Sequence, residues 1–330
     1  MAQRTLRVAT DVGGTFTDLV CFEIDPETGE PRIVTAKSDT TPPDFEKGVL
    51  NVLDKAGIDP RDVRFMAHGT TVVINALTER KGVKVGLITT EGFRDTLEIA
   101  RGNRPDFFNL HYEKPKPFVP RHLRRELPGR ISYKGEELKP LDLSGLPAIL
   151  DDFRGEGVEA VAICFLHSYA DTAHEKAALE EVRRLWPGVS VVSSHQITRE
   201  WREYERTSTA VLSAYVQPTA ERYLSRLHNG LKEKGLPGSP YIMQSNCGVD
   251  SLESVSKIPI TMVESGPASG FWGAAELGKL IGEPNVLALD IGGTTAKCSL
   301  IEDGQVRIMT DYWIERDRTS AGYPIMVPVV

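Results

Sequence analysis

The chain has 330 residues, 40% of them hydrophobic and 26% charged, with a formal net charge of −7. That length suits about two domains around large buried cores, no apolar run approaches the roughly 20 residues that cross a bilayer, and the acidic balance argues against a nucleic-acid groove as the chain's main business. Cys21, Cys164, Cys247 and Cys298 fall into no metal-ligand spacing and read as reduced core residues, and the N-terminus has no secretory pattern, so the expected compartment is the cytoplasm.

In chain order, "LRVAT", "TDLVCFEI" and "RIVTAK" read as an antiparallel meander, with "DPETGE" as the turn between the last two. "DFEKGVLNVLDKAG" has apolar positions at helical spacing and stops on Gly57. "RFMAHGTT" reads as a strand running into the helix "VVINALTERKG", followed by the short buried strand "KVGLITT" and the helix "EGFRDTLEIA". From Arg101 to Pro140 prolines accumulate and periodicity fades, which marks a long excursion from the core. Within it, "KPKPFVPRHLRREL" reads equally as a docking surface or a solvated loop. Alternation resumes with the strand "VEAVAICFLH", the helix "DTAHEKAALEEVRRLWP" and the strand "VSVVSSH", the pattern of parallel pairing with crossover helices. Residues from Thr198 to about Gly235 are helical, "YIMQSN" and "IPITMVESGP" are strand-like, and "ASGFWGAAELGKLIG" is a small-residue helix suited to close packing.

One device occurs twice. In "VATDVGGTFTDLV" and "LALDIGGTTAKCSL" an apolar strand ends on an aspartate, two glycines follow one residue later, and a threonine leads into a second strand. Glycines open unusual backbone angles and let a ligand approach the main chain. Bare N–H groups and threonine hydroxyls suit a phosphate, and a strand-end aspartate suits hydrated Mg²⁺ or an attacking nucleophile. A single copy reads as a plain hairpin. Two copies read as a clamp, with two similar domains facing each other and one turn at each of two phosphates of a nucleotide.

The paired turns resemble those of the actin, heat-shock ATPase and sugar kinase superfamily. That resemblance implies an α/β, actin-like (ribonuclease H-like) ATPase fold, with mixed sheets and flanking helices. "DVGGTFTDLV", "HGTTVVINAL", "EGFRDTLEI", "REYERTSTAVLSAYVQP", "MQSN", "ESGPASG" and "LDIGGTTAK", in this order, resemble the hydantoinase A / 5-oxoprolinase family, which includes ketone carboxylase subunits. The resemblance spans nearly the whole chain. It implies an N-terminal actin-like domain over residues 1–285, carrying the excursion at 101–140, and the start of a second, incomplete actin-like domain over 286–330. It also implies ATP and Mg²⁺ as cofactors, a small-molecule carbonyl substrate, and a hetero-oligomer with complete hydantoinase A-like and hydantoinase B-like subunits. The first expectation is an ATP-dependent ketone carboxylase that phosphorylates bicarbonate or a ketone enolate before the C–C bond forms. ATP-dependent lactam or imide hydrolysis is the second, and a non-catalytic scaffold beside a complete paralogue is the third. A sugar kinase is disfavoured, because "HGTT" and "ESGPASG" are not typical of those enzymes.

Carried over residue by residue, Asp11 and Asp290 hold the metal or the attacking oxygen. Gly13, Gly14 and Thr15 line one phosphate turn, and Gly292, Gly293, Thr294 and Thr295 line the other. Thr17 joins the cofactor set, although Thr17 and Asp18 also read as hairpin residues. Lys297 is either a cation beside phosphate or an exposed strand lysine. Thr70 and Thr71 stand at a strand-to-helix junction whose N–H groups favour an anion. His68 is either an acid or base for the activated carbonyl or a structural strand-end histidine. Glu264 and Ser265 either face the cleft or belong to close packing around Gly266, and Glu203, Tyr204 and Arg206 read as part of a salt-bridged structural helix. Cys247 stands where the family commonly has glycine, and without a partner base it is no nucleophile. The apolar ending "AGYPIMVPVV" and the missing adenosine segment suggest that the chain alone does not hold ATP productively. A fragment, a subunit completed by another chain, and a shortened copy kept for assembly all remain open.

Overall fold

The computed structural model describes residues 5–25, 28–292 and 296–330, so the expected phosphate-turn residues Gly293, Thr294 and Thr295 lie outside the described residues. The chain opens with the strands β1 (Leu6–Val12), β2 (Phe16–Ile24) and β3 (Pro31–Asp39), helix α1 (Phe45–Lys55), strand β4 (Val63–Thr70) and helix α2 (Val72–Thr78). Next come β5 (Val85–Thr90), the short α3 (Thr96–Ile99), β6 (Arg124–Leu127), β7 (Arg130–Ile131), β8 (Glu137–Lys139), α4 (Leu146–Gly155), β9 (Ala160–Cys164), α5 (Ala173–Leu185), β10 (Ser190–Ser193) and α6 (Ser194–Ile197). The long α7 (Glu203–Glu233) leads to β11 (Tyr241–Met243), β12 (Val249–Ser251), α8 (Leu252–Lys257) and α9 (Ser265–Ile281), and then to β13 (Val286–Ile291), β14 (Ala296–Glu302), β15 (Gln305–Val306), β16 (Tyr312–Arg316) and β17 (Ala321–Ile325).

Internal contacts divide the chain into two units: Met1–Asn75 with Ala220–Met309 and Pro328–Val330, and Ala76–Thr219 with Thr310–Val327. The division runs after Asn75, after Met309 and Val327, and within α7 after Thr219, next to Pro218, which has no amide hydrogen to continue the helical ladder. Both glycine hairpins therefore belong to the first unit.

The first unit is built on a mixed six-stranded sheet in the order β12-β11-β4-β1-β2-β3. The meander β1–β2–β3 is antiparallel, as its turn signals imply, and β4 and β11 join β1 in parallel. Leu6, Val8, Leu19 and Cys21 alternate inward, and Val49, Val52 and Leu53 form the buried stripe of α1. Helix α9 ends on Gly282 in the left-handed conformation, with the Glu283 amide donating back to the Gly278 carbonyl at 2.8 Å. The antiparallel pair β13–β14 packs one face on α9 through Phe271, Ala275, Ala288 and Ile301. Its other face exposes Leu287, Leu289, Ile291 and Leu300.

The second unit holds a parallel sheet in the order β10-β9-β5-β6, whose central strands β5 and β9 are buried along their whole length. Strand β6 comes from the segment expected to be an excursion. "RREL" carries no apolar alternation, yet it pairs with β5, and Arg124 lies 1% exposed, donating to the Val119 carbonyl and to Glu98. The basic stretch is thus partly core. Two further expectations differ from the structure. "EGFRDTLEIA" forms only the single turn α3, and "IPITMVESGP" is a 3₁₀ turn at Pro259–Met262 leading into α9. In the apolar ending, Ile325, Val327 and Val329 are buried. The Glu203–Arg206 stretch is structural as read: Glu203 and Glu205 pair with Arg101, and Arg206 is buried against the Phe165 carbonyl. Cys21 and Cys164 are core residues, whereas Cys298 is exposed.

Candidate functional site

In parallel sheets, reactive groups gather at the carboxyl ends of the strands, where loops and helix N-termini converge. Here β1 ends on Asp11 and Val12, β4 on Gly69 and Thr70, and the "MQSN" turn follows β11. The first turn of α9 meets them, because the Ser265 hydroxyl bonds the backbone of Thr70.

Asp11 is the centre of this arrangement. Its Oδ1 is buried and has no hydrogen-bond partner among the described residues. An unpartnered buried carboxylate oxygen is costly and calls for a ligand. The carboxyl pKa is pushed up to about 6, first by burial and then by the negative charges of Asp18 and Asp290. Two glycines leave the room that the Asp11 carboxylate itself takes up. A Cβ on Gly69 would stand 2.7 Å from Oδ1, and one on Gly266 would stand 3.2 Å away. A carboxylate oxygen without a donor is a ligand of the kind Mg²⁺ takes one or two of. Among the described residues no group of three His, Cys, Asp or Glu side chains is arranged to hold a metal, so a cation here would take few protein ligands.

The turn between β1 and β2 is tied from behind. The Gly13 amide closes it onto the Phe16 carbonyl at 2.9 Å. The Thr40 hydroxyl donates to the Gly13 carbonyl at 2.9 Å, and the Thr40 amide donates to the Thr15 carbonyl at 2.9 Å. The Val12 carbonyl receives both the amide and the hydroxyl of Thr71, at 2.9 and 3.1 Å. Carbonyls are thereby held on the protein side, while the amides of Gly14 and Thr15, both exposed, have no partner among the described residues. Neither Gly13 nor Gly14 takes a left-handed φ, so special backbone angles are not the reason for them. A Cβ on Gly14 would meet nothing within 4 Å, and what the glycine provides is bare access to the main chain.

Other expected residues are arranged differently. Thr17 points into the core, fully buried, near the Thr40 hydroxyl and under Gly48 of α1. The amides at the start of α2 are already engaged, that of Thr71 by the Val12 carbonyl and that of Val72 by the Thr70 hydroxyl, which leaves them unavailable to an anion. His68 is completely buried, with Nδ1 2.8 Å from the Thr10 hydroxyl and Nε2 2.5 Å from the Tyr223 hydroxyl. A neutral imidazole has one donor and one acceptor, and both are used. Burial holds its pKa down to about 3. Asp290 lies exposed on β13 beside Gly292, opposite Lys297 of β14. Lys297 is not an exposed strand lysine, because its ammonium pairs with the buried Glu264.

Gly69, Gly266, Thr40 and Tyr223 were not among the expected site residues. A glycine inside an apolar strand signals a close approach, and Gly69 within "AHGTT" carries that signal. Nothing local marks Thr40 or Tyr223. Cys247 has a φ of 66°, and its thiol donates to the Ala268 carbonyl at 2.8 Å. Burial pushes that thiol up to about 11, which disfavours the thiolate form.

Residues 7–186 match the model of the hydantoinase/oxoprolinase N-terminal region, and residues 206–330 match the hydantoinase/oxoprolinase model. The chain belongs to the hydantoinase/oxoprolinase family. Among its relatives, the caprolactamase subunit alpha of Pseudomonas jessenii is 34% identical over 344 residues, covering 100% of this chain and 47% of the relative. The acetophenone carboxylase gamma subunit of Aromatoleum aromaticum is 34% identical, covering 91% of this chain and 43% of the relative. A nucleotide-free structure of acetone carboxylase matches with a TM-score of 0.85 at 26% identity, covering 99% of this chain and 47% of that one. This hydantoinase/oxoprolinase chain thus has the α/β, actin-like ATPase type of fold, and it spans about half the length of the relatives it matches.

Proposed function

We propose that this chain supplies the phosphate-and-metal grip of an ATP-dependent carbonyl-activating enzyme, and that the reaction is carboxylation of a ketone. The observation that carries the reading is the unpartnered Asp11 oxygen between two glycines, beside a turn whose exposed Gly14 and Thr15 have unpartnered amides among the described residues. In this reading Asp11 holds the cation, and Asp290 on the second hairpin lends a further negative charge to the same neighbourhood. The amides of Gly14 and Thr15 donate to phosphate oxygens. Gly292, Gly293, Thr294 and Thr295 serve the second phosphate turn. Mg²⁺, when bound, neutralises phosphate charge and orients the leaving oxygens. Lys297, held by Glu264, sits opposite Asp290 and keeps a positive charge at the base of that turn. His68, sealed between Thr10 and Tyr223, supports β4 and takes no part in proton transfer.

Ketone carboxylation is the first reading because "RGNRPDFFNLHYEKPKPFVPR" resembles the ketone carboxylase branch. Lactam hydrolysis is the second, supported by 34% identity to the caprolactamase subunit alpha along the whole chain. Further polypeptide is part of both readings, with residues 286–330 opening a second actin-like domain. The exposed apolar face of β13–β14 supports this, as do the subunit names of the relatives. The test is ATP consumption by the chain purified with its partner subunits, offered bicarbonate with acetone or acetophenone, and separately caprolactam, hydantoin and 5-oxoproline. Turnover with bicarbonate plus a ketone is expected. Turnover only with cyclic amides selects the second reading, and ATP consumption that none of these substrates stimulates overturns both.

A further inference from the structure

The six-stranded sheet of the first unit has two unlike faces. On one, Leu6, Val8, Leu19 and Cys21 are buried, and α1 packs against their strands. On the other, alternate residues of the same strands meet no cover: Val20 is 47% exposed, Phe22 37%, Ile24 56% and Ile33 66%. The register joins these side chains into rows across the sheet. Ile33 of β3 stands opposite Phe22 of β2, Phe22 opposite Arg7 of β1, and Arg7 opposite Phe65 of β4. In the next row Val20 stands opposite Ala9, Ala9 opposite Ala67, and Ala67 opposite the exposed Tyr241 of β11, whose ring stacks on Phe65 at 5.4 Å. A sheet face left to water alternates to polar side chains, and parallel strands such as β1, β4 and β11 are ordinarily covered on both faces. A contiguous apolar patch of this kind marks an interaction surface. One charge stands inside it. Arg7 lies over the Phe65 ring at 5.2 Å and has no ion-pair partner among the described residues.

We infer that this face seats an amphipathic helix from the polypeptide that makes up the other half of the relatives' length. Its apolar stripe lies over Val20, Phe22 and Ile33, and one of its carboxylates meets Arg7. The inference rests on the reading that further polypeptide belongs to the enzyme, and it concerns a surface separate from the β13–β14 face. Three observations select this occupant. A layer of helix is what covers the open face of a sheet containing parallel strands. The chain spans 47% and 43% of two relatives, so the family's length includes about as much polypeptide again. An unpaired cation between Phe22 and Phe65 suits a segment that brings an acid. A second copy meeting the same patch would instead bring a second unpaired Arg7.

The test replaces Ile33, and in a second preparation Val20, by a photo-crosslinking amino acid in the chain purified with its partner subunits. The peptide joined to each position is then sequenced by mass spectrometry. Both side chains are exposed, so the replacements leave the packed face of the sheet intact. The expected product is one amphipathic peptide carrying Asp or Glu, from polypeptide that corresponds to the unmatched half of the relatives. Arg7→Glu should lower its yield about tenfold, the scale of a lost close charge pair at an interface. A peptide from a second copy of this chain, one from a hydantoinase B-like subunit, or no joined peptide overturns the inference, as does a yield indifferent to Arg7→Glu. Absence of any such polypeptide from the active preparation instead overturns the reading beneath it.

Discussion

Asp11 and Gly69 stand opposite each other on the parallel strands β1 and β4, and the hydrogen in place of a Gly69 side chain lets the Asp11 carboxylate occupy its place. A strand-end aspartate is common. One whose Oδ1 is buried, unpartnered and walled by two glycines is the feature on which the proposed cation grip rests.

Gly69→Ala is therefore expected to be the more damaging of two matched changes. Its methyl would lie 2.7 Å from Oδ1, closer than real contacts allow, so Asp11 must move. Displacing a catalytic group by about 1 Å can cost on the order of a hundredfold in rate. Gly266→Ala, at 3.2 Å, should cost less. Steady-state ATP cleavage by the partner-assembled enzyme, with thermal melts to confirm folding, ranks the two.

The raised pKa of Asp11 makes a statement about stability. The carboxyl titrates near 3.8 when unfolded and at about 6 in the fold, so the fold binds more protons between those values. The penalty is absent below pH 3.8, grows as pH rises to 6, and is complete above it, reaching about 3 kcal/mol. Asp11→Asn should therefore raise stability to urea at pH 8 in metal-free buffer and change little at pH 3.5. Equal gains at both pH values would remove the buried charge from the account.

For His68 the sign is reversed. Neutral in the fold down to about pH 3, it takes up a proton on unfolding at any pH below its ordinary 6.5. Its contribution is full above pH 6.5 and is lost as pH falls toward 3. Acid unfolding of His68→Gln should show a shallower dependence over that window. Turnover of the same variant should fall less than tenfold, against the hundredfold or more expected for a true acid or base. Tyr223→Phe, which strips the partner from Nε2, should cost about 1–3 kcal/mol of stability.

Much of this was written in local pattern. The meander, the amphipathic α1, the alternation of β5, β9 and β10 with helices, and the aspartate–glycine turn between β1 and β2 follow from period and turn chemistry. Strand β6 was hidden because its residues are charged and its partner β5 lies more than thirty positions away. Gly13 and Gly14 read both as conformational and as opening access to the main chain, and composition does not separate the two, whereas the ordinary φ of both residues removes the first. The sealing of His68 was hidden because Tyr223 lies 155 residues away and only tertiary packing unites them.

Cys247 offers a smaller check. A left-handed φ strains any residue with a Cβ, and glycine relieves it. Cys247→Gly should leave stability within about 1 kcal/mol, the relief offsetting the lost bond to Ala268. The native thiol should react with a disulfide reagent far more slowly than exposed Cys298.

The most direct test of the central claim is single-turnover ATP cleavage by the partner-assembled enzyme carrying Asp11→Ala. The account predicts a fall of at least about a hundredfold, the scale seen when a charge-organising group leaves a phosphoryl-transfer site. Cleavage at the native rate would contradict it.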